Sequence, residues 1–79
     1  MNSKKNLMAD YAQTWRRELR IQELVDIAKK ELELGTEITR IYQILDDVIY
    51  AKWRSIPTTR RQYLESVTKS LVNQDAIVV

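Results

Sequence analysis

GTEITRIYQILDDVIYAKWRSIP, Gly35 to Pro57, runs from the only glycine of the chain to its only proline. Between these two, Ile38, Ile41, Tyr42, Leu45, Val48 and Ile49 recur three and four residues apart, the repeat that gathers apolar groups on one side of an α-helix. The spacing predicts a helix over about Glu37 to Arg54, with Thr36 as its N-cap and its apolar stripe at the centre of the core. Gly35 suits a left-handed helix end and Pro57 suits the break before a new helix, so the two residues punctuate three helices. The expected fold class is all-α.

Toward the N-terminus, a first helix is predicted from about Asp10 to Leu34. Asp10 is placed to cap it, Gln13 follows three residues later, and Asp26 and Lys30 have the favourable acid-before-base order. This helix carries two apolar stripes. At 100° per residue, Met8, Tyr11, Ala12, Trp15 and Leu19 share one face, whereas Ile21, Leu24, Val25, Ala28 and Leu32 form a second stripe roughly opposite. One straight helix cannot turn both into one small core. Three outcomes resolve the conflict: a break near Glu18 to Arg20, different elements covering the two ends, as when the apolar tail Ala76-Ile77-Val78-Val79 folds back over Trp15, or a second molecule on the N-terminal stripe. The last is expected, because a three-helix domain has little surface to spare.

Toward the C-terminus, Thr59-Arg60-Arg61-Gln62 reads as a capping box that opens a third helix over about 59–73. Tyr63, Leu64, Val67 and Leu71 form its inward stripe, and Asn73 is placed to end it in a left-handed conformation. Residues 74–79 are left as a short apolar tail and residues 1–9 as a basic, mobile N-terminus of one domain spanning 1–79.

The 79 residues are 44% apolar and 30% charged, a balance that favours folding over disorder. Absence of both cysteine and histidine removes disulfides, thiolate and imidazole metal ligation, thiol nucleophiles and imidazole acid–base relays. A single glycine excludes a phosphate-cradling loop, and Asp46 and Asp47 have no further carboxylate at metal-ligand spacing, so they read as a solvated face. These absences predict no catalytic residue, no metal, no cofactor and no small-molecule substrate. Leu7-Met8-Ala9 is too short an apolar run for a secretory signal, and no stretch approaches the roughly 20 apolar residues of a membrane span. The expectation is a soluble cytoplasmic protein.

Charge is the remaining guide. Net charge is +2, but residues 1–20 and 51–79 each hold five cations against two acids, while residues 21–50 hold three against seven. Lys52, Arg54, Arg60 and Arg61 surround Trp53 and Pro57, with no acid from Val48 to Leu64. A helix start offers free N–H groups and a positive dipole end, so Arg60 and Arg61 there favour phosphate. The expected nucleic-acid contacts are Lys52, Arg54, Arg60, Arg61 and Lys69 on phosphates, with Gln62 near base edges in a helix-turn-helix-like arrangement. DNA is then the partner and transcription regulation the role, with Trp53 filling core rather than stacking on bases. The alternative is a protein-interaction module, an inhibitor, adaptor or assembly subunit. It would use Tyr11, Trp15 and Leu19 on the first helix, and a homodimer is expected there, since Trp15 flanked by Arg16 and Arg17 has the residue types of binding hot spots.

Overall fold

The computed structural model describes residues 3–78, with side chains described from Gln13 onward. It is a three-helix bundle: α1 spans Ser3–Glu33, α2 Ile38–Trp53 and α3 Pro57–Asn73, and every pair of helices is in contact. Each helix supplies three core residues at helical spacing. Leu24, Val25 and Ala28 from α1, Ile41, Leu45 and Ile49 from α2, and Tyr63, Val67 and Leu71 from α3 are all buried. Ile21, Leu32, Tyr42, Val48, Trp53 and Leu64 close over them. Burying a Val, Leu or Ile side chain stabilises by roughly 1.5–3 kcal/mol, so these positions dominate folding.

The helix ends follow local chemistry, though not always at the residues the sequence suggests. Gly35, at φ 81°, ends α1 as expected. The Gly35 N–H donates to the Leu32 carbonyl and the Thr36 N–H to that of Glu31, the paired bonds of a Schellman end. Thr36 does not cap α2: its hydroxyl turns back to Glu31 at 3.2 Å, and Glu37 occupies the N-cap without a side-chain bond. The third helix begins at Pro57 rather than Thr59. Proline lacks the N–H that a first turn leaves unpaired and has its φ already set, so it starts the helix two residues ahead of the threonine box, with Ile56 as N-cap.

Two further ends are corrected. Asp10 lies inside α1, which begins at Ser3, so it is not a cap. At the end of α3 the left-handed residue is Asp75, φ 55°, and not Asn73, which is still helical. Here Asp75 N–H donates to Val72 and Ala76 N–H to Leu71, a second Schellman end. It turns the tail so that Ala76 and Ile77 pack against the core, beside Leu32 at the far end of α1. The tail therefore does not fold back over Trp15.

Nor does α1 break. It is one helix of 31 residues against 16 and 17 for its neighbours, and it gives the molecule its long dimension of 53 Å. Its C-terminal half makes the bundle. Its N-terminal half runs past the α2–α3 turn, with Trp15 54% and Leu19 52% exposed.

Candidate anion-binding site at the open end of the bundle

The expected nucleic-acid residues stand against different neighbours. Lys52 is ion-paired with Glu23 of α1 and lies 5.8 Å from the centre of the Trp53 ring. Arg60, with only 20% of its side chain exposed, donates from Nε to Asp46 Oδ1 at 2.8 Å and from Nη1 to the Ser55 carbonyl at 2.8 Å. It thus ties the start of α3 to α2 and to the turn between them. Arg61 and Lys69 flank a shallow apolar groove of about 550 Å³ between α2 and α3, over Tyr42 and Leu64. In that groove Thr68 donates to the Leu64 carbonyl at 2.8 Å, which leaves the Tyr42 hydroxyl as the donor in its 2.6 Å bond to Thr68.

Arg54 occupies the C-cap of α2 at φ 50°, a conformation that costs a side-chain-bearing residue on the order of 1 kcal/mol. Its guanidinium lies 5.4 Å from the Tyr50 ring centre, as does that of Arg60, so exposed Tyr50 holds two cations against its ring. Trp53 is half-buried against the core and tilted at 46° to Tyr63, with ring centres 5.8 Å apart. Filling core, as expected, it is also the floor on which a further arginine rests.

That arginine is Arg20. Its guanidinium lies 5.2 Å from the Trp53 ring centre, and Nη1 donates to the Tyr63 hydroxyl at 3.1 Å. Both contacts fix its head group at the mouth of a cleft of about 370 Å³ where α1 passes the start of α3. Gln13, Arg16, Arg17 and Arg20 line it from α1, and Thr59, Gln62 and Tyr63 from α3. No acid is among these residues. Arg16 and Arg17 are exposed and make no ion pair among the described residues.

Three guanidinium groups, two amides and a threonine hydroxyl thus line a cleft beside the first turn of α3, whose free N–H groups add positive potential. Guanidinium forks match the paired oxygens of phosphate, so the arrangement suits a phosphate or another oxyanion. Of the expected contact residues only Gln62 belongs to it. The sequence holds one sign of the rest: Gln13, Arg16, Arg17 and Arg20 fall at i, i+3, i+4 and i+7, a polar, cationic face of α1. What periodicity does not tell is that this face meets Gln62, more than 40 residues on.

Of the expected protein-interface residues, Trp15 and Leu19 are exposed together on α1, and the side chain of Tyr11 lies outside the described residues. Among the described residues no group of histidine, cysteine or carboxylate side chains is arranged to hold a metal, and no helix is long and apolar enough to cross a membrane. Comparison with protein-family models, with curated proteins and with solved structures finds no match to this chain.

Proposed function

We propose that the protein is a small, non-enzymatic, cytoplasmic DNA-binding module with a regulatory role, and that it grips the phosphate backbone at the open end of the bundle. The observation that carries this reading is the convergence of Arg16, Arg17 and Arg20 with Gln62 on an acid-free cleft. Arg54, exposed in the turn between α2 and α3, and Arg61, exposed near the start of α3, add positive charge to this region of the chain. In this reading the N-terminal end of α3 faces the duplex as a recognition helix does, with Gln62 nearest the bases. Lys52 and Arg60 serve the fold instead, since both are engaged with Glu23 and Asp46.

The test is a fluorescence-anisotropy titration with a mixed-sequence duplex between about 50 and 200 mM salt, over which several phosphate contacts change affinity by orders of magnitude. Replacing Arg16 and Arg17 together with alanine should lower the slope of log affinity against log salt by about 1.8, at roughly 0.9 per lost contact. Replacing Lys69 should change it little. Absence of binding by the unmodified protein at low salt would overturn the reading.

A further inference from the structure

The apolar face formed by Trp15 and Leu19 is not used by the cleft. Around α1 it stands about 130° from the centre of the Gln13, Arg16, Arg17 and Arg20 face and about 145° from the core stripe, at 100° per residue. Neither α2 nor α3 covers it, and the tail docks at the other end of α1. Yet α1 continues straight through it as one helix. The same line along α1 continues to exposed Gln22 and Asp26, where Gln22 donates to the Asp26 carboxylate at 2.9 Å.

We infer that the occupant of this face is a second copy of the chain, its α1 antiparallel to the first and the two-fold axis passing at Trp15. Helical register along α1 carries the argument. Positions 4, 8, 11, 15, 19, 22 and 26 form one line with steps of three and four residues, and from Met8 onward the steps repeat as three, four, four. That repeat averages about 3.67 residues per turn, close to the undistorted helix, so the line stays on one side over its length. An antiparallel two-fold at residue 15 sets position 19 opposite 11, 22 opposite 8 and 26 opposite 4. The register then pairs position 19 with position 11 and position 15 with its own copy, and the sequence holds a lysine at position 4 and an aspartate at position 26, which the register pairs at both ends.

A parallel pair in register sets Lys4 against Lys4 and Asp26 against Asp26 and aligns the two helix dipoles, so charge selects the antiparallel arrangement. The overlap from position 4 to 26 is about 33 Å long. An antiparallel two-fold stands perpendicular to the plane of the two helix axes, so it leaves both arginine clefts on the same side of the pair. The dimer is independent of the DNA reading: a monomer that binds DNA, or a dimer that does not, each separates them.

Sedimentation equilibrium of the full chain at rising concentration should show a monomer–dimer equilibrium that Trp15→Ala weakens roughly thirtyfold with its helical circular dichroism unchanged, the scale of a hot-spot truncation. A monomer at every concentration overturns the proposal. Register is tested with single cysteines, which are unique in this chain. Met8→Cys mixed with Gln22→Cys should form a disulfide between the two variants under mild oxidation, while each alone remains largely uncoupled. Self-coupling of each variant, or no coupling in the mixture, overturns the antiparallel register. Should Trp15→Ala lose its helix, the cysteine experiment, in which Trp15 is intact, decides.

Discussion

The two halves of α1 carry similar apolar stripes and meet opposite fates. From Ile21 to Leu32 the stripe is answered by α2 and α3, and Leu24, Val25 and Ala28 are fully buried; at Trp15 and Leu19, on the same unbroken helix, more than half of each residue is exposed. The difference lies in length rather than composition. Two helices of 16 and 17 residues cover only about half of one of 31, so the N-terminal half is free to present an apolar face on one side and arginines on another. One end of the molecule is thus packed into the bundle and the other is left exposed.

The sharpest way to break this contrast is to truncate one leucine from each half. Leu24→Ala should cost about 2–5 kcal/mol in urea unfolding, because it opens a cavity at the centre of the core. Leu19→Ala should change the stability of the monomer by less than about 0.5 kcal/mol, and equal losses at the two sites would erase the distinction. Next in size is Gly35→Ala at the α1–α2 turn. Space around Gly35 is open, so its φ of +81° is the whole penalty, about 1–2 kcal/mol by the same denaturation.

Asp46→Ala sharpens the contrast among the cations themselves. Removing the partner of Arg60 should lower stability by about 1 kcal/mol. Binding to DNA should tighten at the same time, since the change removes an acid and releases a guanidinium beside the α2–α3 turn; weaker binding would mean that the tie itself is needed. The smallest effect is expected at Arg54→Gly. Relief of the left-handed strain should raise stability by about 0.5 kcal/mol, while the loss of an exposed cation should lower the salt slope of DNA binding by about 0.9.

Much of the bundle was legible in the chain. Gly35 ends α1 through the bonds its position implies, and Ile41, Leu45 and Ile49 are buried as their spacing predicts. Where the reading missed, a local alternative prevailed: Pro57 outweighed the Thr59 box because a preset φ needs no side-chain cap, and Thr36 found Glu31 in place of its own helix. The site was less legible. Lys52 and Arg60 stand in an acid-free stretch of sequence, but acids from other helices, Glu23 and Asp46, reach them in space. Arg16 and Arg17, which the sequence groups with Trp15 as hot-spot residue types, line a cleft with Gln62 because α3 returns alongside α1.

At 79 residues the protein is small enough for residue-by-residue amide shifts, and an NMR titration with a short duplex locates the DNA-binding surface directly. The largest shifts are expected at Arg16, Arg17, Arg20, Thr58, Thr59 and Gln62, with Leu32, Leu71 and Ala76 at the opposite end unmoved. Shifts centred instead on Tyr42, Leu64 and Lys69, or none at low salt, would contradict the proposed site.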